Sequence, residues 1–136
     1  MVITRTRVAI AAVVLLVAGL AAVAAVFLRG EALPWNKPAT LSADGTRLTL
    51  VAIGGACADR TTVDVDEGPD RVVVTIRQLS LAGACADIGV PVRVVAELQA
   101  PLGQRELVDG YCEQSERGRV AGCWGIAPMV EREPAG

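Results

Sequence analysis

The chain has no histidine among its 136 residues. The side chain that most often acts as a general base near neutral pH, and most often binds transition metals, is therefore missing. Ser42, Ser80 and Ser115 have no imidazole to activate them, which excludes a serine triad. No two of the four cysteines have C-x-x-C spacing, so thioredoxin-type exchange and zinc ribbons lack their signature. Positive charge is also scarce where a ligand would need it. The first 29 residues carry Arg5, Arg7 and Arg29 and no acid. The remainder holds ten basic and fifteen acidic residues, a net charge of −5. A basic face for phosphate is absent, which argues against nucleic acid and against anionic lipid head groups as partners. Composition assigns no catalytic, cofactor-binding or metal-binding residue, and the expectation is a protein that is not an enzyme.

What is present begins with one apolar segment. Val8 to Leu28 runs for 21 residues without a charge. As a helix it spans about 31 Å, roughly one bilayer core. Arg5 and Arg7 precede it, so the positive-inside rule places residues 1–7 in the cytoplasm and the following domain outside. The expected partner of residues 8–28 is the lipid bilayer, as a signal anchor of a single-pass cell-membrane protein. The rival is a signal peptide cleaved after Ala22-Val23-Ala24, releasing a secreted domain. The apolar run continues through Val26, Phe27 and Leu28, which a cleaved peptide does not need, and this favours the anchor. Small residues recur four apart, as in Ala18 with Ala22 and Ala21 with Ala25. That spacing permits close helix pairing, but alanine is common throughout the chain. Residues 29–40 read as a linker, because Pro34 and Pro38 disfavour helix. Trp35 fits either the lipid–water boundary or one end of the domain.

Beyond Thr40 the apolar period changes to two. Val72, Val74 and Ile76 face one side, as do Val92, Val94, Ala96 and Leu98, Val63 and Val65, and Leu48, Leu50 and Ala52. Alternation with β-branched enrichment marks half-buried strands. Asp44-Gly45, Glu67 to Asp70 and Pro101 to Gly103 supply turns between them. The expected fold is all-β. It is a small antiparallel β-sandwich or open barrel over residues 41–110, with disulfides, one preceding transmembrane helix and a disulfide-containing tail over 111–136.

Gly55-Ala56-Cys57-Ala58-Asp59 returns 28 positions later as Gly83-Ala84-Cys85-Ala86-Asp87. If the strands run as a meander, both copies fall at the same end. This favours Cys57 with Cys85, leaving Cys112 with Cys123. A bridge from Cys112 to Cys57 or Cys85 stays open, since four cysteines allow three connectivities. Outside the membrane, an even cysteine count favours structural bridges.

The acidic residues carry the alternative function. Asp59 and Asp87, held together by a bridge, would form a carboxylate pair able to bind a cation or exchange a proton. Gly and Ala around a disulfide, with Asp bonding back to loop amides, is the simpler reading. Asp64, Asp66 and Asp70 flank Gly68 with faint likeness to a calcium loop, but Pro69 follows the glycine and no glutamate closes twelve residues. In the tail, Tyr111, Trp124, Ile126 and Met129 suggest either an exposed aromatic patch or a cover over an open sandwich end. Glu131 to Gly136 reads as a frayed terminus.

Leu48 to Asp109 resembles membrane-anchored exported proteins of high-GC Gram-positive bacteria. The resemblance rests on the two cysteine loops, Val72-Val73-Val74-Thr75-Ile76, and Pro101-Leu102-Gly103-Gln104-Arg105 followed by Val108-Asp109. It implies a tethered envelope domain with no assigned activity, and it carries no functional residue over. An envelope protein or ligand is the expected partner of such a domain besides the bilayer.

Overall fold

The computed structural model describes residues 2–81, 88–113, 123 and 129–133. They form two units, 1–30 and 31–136. The first is helix α1, Val2–Phe27. Its alanines and leucines are strong helix formers, and no proline interrupts it. Its last turn closes through Leu28 N to Ala24 O at 2.9 Å and Arg29 N to Val26 O at 3.3 Å. Gly30 then takes φ 76°, the left-handed conformation with which glycine ends helices. Ile10–Phe27 is long and apolar enough to cross a membrane.

The second unit is a sandwich of two four-stranded sheets. In the first, β5 (Arg71–Leu79) is flanked on one edge by antiparallel β4 (Arg60–Glu67). Its other edge is shared by antiparallel β1 (Glu31–Leu33) and parallel β7 (Glu106–Asp109). The second sheet runs β6 (Gly89–Glu97), β3 (Arg47–Gly55), β2 (Trp35–Leu41), β8 (Val130–Arg132). β2 pairs antiparallel with β3 and parallel with β8. Between the sheets lie Trp35, Leu48, Leu50 and Ala52 from one side and Val72, Val74 and Ile76 from the other. These alternate positions are the inward faces that period two predicts.

Three expectations are corrected. Residues 29–40 are not a free linker: β1 joins one sheet and β2 the other, and Trp35 is among the most deeply buried side chains. Pro34 stands where the chain changes sheets, and the cis Lys37–Pro38 bond lies in the irregular stretch of β2 between Asn36 and Thr40. Both are places where a missing ladder N–H is tolerated. The terminus is not frayed from Glu131: β8 extends to Arg132, and Glu133 N reaches Leu41 O at 2.9 Å. The strands are also not a meander. β3 pairs with β2 and β6, so β3 to β4 crosses from one sheet to the other, and β5 to β6 crosses back. Both crossovers still lie at one end. From β3 to β7 strand direction alternates along the chain whichever sheet each strand joins.

Candidate functional site

The pentapeptide end is built from the backbone outward. Gly55 faces Gly89 in the β3–β6 ladder, and Arg60 faces Leu79 in the β4–β5 ladder. The loop between Gly55 and Arg60 is gripped on both sides: Ala56 N donates to Ile88 O at 3.2 Å and Asp59 N to Leu79 O at 2.9 Å. Inside, Gln78 plugs the gap between the sheets. Its Oε1 accepts from Gly55 N at 2.8 Å and its Nε2 donates to Thr61 Oγ1 at 3.3 Å. A side chain at Gly54 would displace this amide from its place between the sheets.

The Asp59 carboxylate accepts the Leu81 amide at 2.6 Å. It serves as a loop clamp. Cys57 is disulfide-bonded. Cys85 and Asp87 lie outside the described residues, so the Cys57–Cys85 bridge and the Asp59–Asp87 pair stand as expectations. Cys112 and Cys123 are joined, with Cα atoms 5.4 Å apart.

The other acids are dispersed. Asp64 projects from β4 and meets Arg77 Nε at 2.9 Å. Asp66 is exposed on the same outer face, and Asp70 sits in the β4–β5 turn, at the end opposite Asp59. Among the described residues no group of three His, Cys, Asp or Glu could hold a metal ion. In the tail, Tyr111 is half-buried and Met129 packs against the core, while Trp124 and Ile126 lie outside the described residues.

Two polar constellations have no counterpart in the sequence-based expectations. At the end opposite the pentapeptides, Arg105 ties the β6–β7 loop to the β4–β5 turn. Its Nη1 meets Glu67 Oε2 at 2.9 Å, and its Nη2 donates to the carbonyls of Ala100 at 2.7 Å and Pro101 at 3.0 Å. Gln99 N donates to Glu67 Oε1 at 2.6 Å. This amide and the guanidinium hold the Glu67 carboxyl below its usual range. Nearby, the Ser42 hydroxyl and Thr46 amide lower Asp44 to about 2.

The second constellation is Asp109, a carboxylate only 2% exposed. Its Oδ2 accepts from Lys37 Nζ at 2.6 Å and Trp35 N at 3.2 Å, and its Oδ1 from Tyr111 N at 3.0 Å. Lys37 Nζ also lies 4.6 Å from the Trp35 ring centroid and donates to Trp35 O at 2.9 Å. Trp35 and Lys37 belong to β2, Asp109 to β7, so the group clasps one sheet to the other. Asp109 also precedes the short helix α2, Gly110–Glu113, as a capping acceptor. Buried this deeply, it meets no solute. The single lysine was the one sequence signal for this group, and nothing local marks the aspartate 72 positions away as its partner.

Compared with known protein families, curated proteins and solved structures, the chain matches none.

Proposed function

We propose that this protein is a single-pass, membrane-tethered β-sandwich held outside the cytoplasm, with a binding or structural role in the cell envelope. One observation carries the reading: a disulfide-linked sandwich begins three residues after a helix apolar enough to span a bilayer. Disulfides persist outside the cytoplasm, and Arg5 and Arg7 precede the apolar span Ile10–Phe27, so redox chemistry and charge agree on orientation. The dispersal of Asp59, Asp64, Asp66 and Asp70 supports binding or scaffolding over carboxylate chemistry.

The test uses the full chain with a C-terminal tag, expressed in a bacterium. After alkaline extraction the protein stays with the membrane pellet, and N-terminal sequencing finds residues before Ala25. An antibody added to intact spheroplasts reaches the tag. A chain starting near Ala25 in the medium replaces the anchor with a secreted domain. A tag reached only after permeabilisation reverses the orientation.

A further inference from the structure

We infer that the open edge of β6 is a self-association surface, on which a second copy of this chain lays its own β6 antiparallel, centred at Val95. The inference stands on the sandwich alone and is independent of what α1 crosses. β6 has one ladder partner, β3, so its other edge is unpaired. Two bonds near its ends fix which backbone groups face that edge. Ile88 O accepts from Ala56 N at 3.2 Å, and Leu98 N donates to Thr46 O at 2.7 Å. The register between them is unbroken. In an antiparallel ladder both polar groups of a residue point to the same side, and the side alternates along the strand. Val90, Val92, Val94 and Ala96 therefore turn N–H and C=O towards β3, while Arg93, Val95 and Glu97 turn theirs outward. Pro91, next in the outward series, has no N–H to offer. Gln99, at its other end, already donates its N–H to Glu67 Oε1 at 2.6 Å. The edge thus presents three complete donor–acceptor positions between two blocked ones.

Charge complementarity names the occupant. The side chains of Arg93, Val95 and Glu97 share the exposed outer face of the sheet, Val95 at 47%. Arg93 forms no salt bridge with the described residues, and Glu97 stays 64% exposed beside Arg47. When two copies of β6 pair about Val95, residues equidistant from it stand opposite one another. Arg93 then faces Glu97 of the second copy, Glu97 faces its Arg93, and Val95 faces Val95. All three are hydrogen-bonded pairs, and opposite charges directly across an antiparallel pair stabilise it. Pro91 falls against Gln99 of the second copy, so the blocked positions meet each other and the ladder ends there. Centring the pair at Arg93 or at Glu97 sets like charges face to face instead. The interface is two-fold and uses the same patch on both chains, the commonest arrangement for a homodimer.

The experiment uses the full chain in detergent micelles. Val95→Cys places two thiols on Cα atoms about 5.5 Å apart, within disulfide range, and mild oxidation should yield a covalent dimer on a non-reducing gel. Asp64→Cys, exposed on β4 at the open edge of the other sheet, is the control and should yield about five-fold less. In the Val95→Cys background, Arg93→Glu sets two acids opposite each other and Glu97→Arg two bases. Each reversal alone should cut the dimer about five-fold or more. Mixing the two variants should restore it, because opposite charges then meet between unlike chains, and that recovery also shows both chains folded. No dimer at position 95 overturns the inference. So does equal dimer at 64 and 95, which would place the association elsewhere in the chain. Dimer at 95 that ignores both reversals, or that the mixture fails to restore, overturns the pairing as well.

Discussion

The two ends of the sandwich are closed in opposite ways. At the far end, Arg105, Glu67 and the carbonyls of Ala100 and Pro101 form a charged lattice between the β4–β5 turn and the β6–β7 loop, and Leu98 N to Thr46 O at 2.7 Å and Leu102 N to Gly45 O at 2.8 Å tie in the β2–β3 turn. The pentapeptide end has backbone hydrogen bonds, one buried amide from Gln78, a disulfide-bonded Cys57, and aliphatic side chains turned outward. A loop end facing bulk water is served well by ionic groups that stay hydrated at their margins. Leu81 and Ile88 contribute little to a fold that leaves them more than half exposed. Those side chains project from the sandwich without packing into it, whereas Arg105 is engaged within it. Between the ends, the Lys37–Asp109 clasp sets the scale against which either is measured.

The largest effect belongs to that clasp. Asp109→Ala leaves an ammonium and two amides without their acceptor, and should cost about 3–5 kcal/mol in denaturant unfolding of the full chain in micelles. The double variant Lys37→Met/Asp109→Leu should lose less than Asp109→Ala alone, because no buried charge is stranded. A single variant within about 0.5 kcal/mol of the parent would show that the sheets are joined by packing alone.

Next comes the pentapeptide end. Peptide mapping without reductant should join Cys57 to Cys85, and a Cys57-linked dimer on a non-reducing gel would overturn that pairing. Loop-closure entropy gives about 3.6 kcal/mol for a closure of about 28 residues and about 2.8 for one of about 11. Cys57→Ala should therefore destabilise slightly more than Cys123→Ala, the partner of Cys112. Equal losses would mean that loop length does not govern the bridges.

The far end should respond to acid. Glu67 titrates below its ordinary value of 4.5 in the folded chain, and Asp44 falls from 3.8 to about 2. A depressed carboxyl stabilises the fold above its unfolded value, and the contribution is lost as pH falls through the folded one. Stability should decline as pH drops below 4.5 towards 2. Glu67→Gln should lower stability at neutral pH and converge with the parent in acid. Parallel pH curves for the two proteins would show that the Arg105 lattice adds no pH-dependent stability.

The smallest effect sharpens the contrast most. Leu81→Ser and Ile88→Ser should each change unfolding in micelles by no more than about 0.5 kcal/mol, as expected for surface positions. A loss of several times that size would make the apolar end part of the core.

The fold was legible wherever the signal was local. The charge-free run ending at Leu28, the alternation in Leu48 to Ala52 and in Val72 to Ile76, and the Cys112–Cys123 bridge all rest on neighbours in the chain, and the structure contains each of them. The placement of the pentapeptide end was legible for a partly wrong reason. The meander was incorrect, but from β3 to β6 each strand reverses the direction of the one before it even where the chain changes sheets, so the ends of β3 and β5 fall together. What was missed depends on distant partners. Pro34 and Pro38 read as a tether because nothing near them shows that Glu31 to Leu33 will pair with Ile76 to Gln78, or that Trp35 will be buried. Arg105 and Glu67 stand 38 positions apart, and Lys37 and Asp109 stand 72 apart. By itself the sequence determined the apolar helix, the inward faces of the strands and the poverty of catalytic groups. Which sheet each strand joins, and which charges are buried against each other, were decided only by tertiary structure. Side-chain periodicity is a property of a few consecutive residues, whereas pairing and desolvation belong to contacts that exist only once the chain has closed on itself.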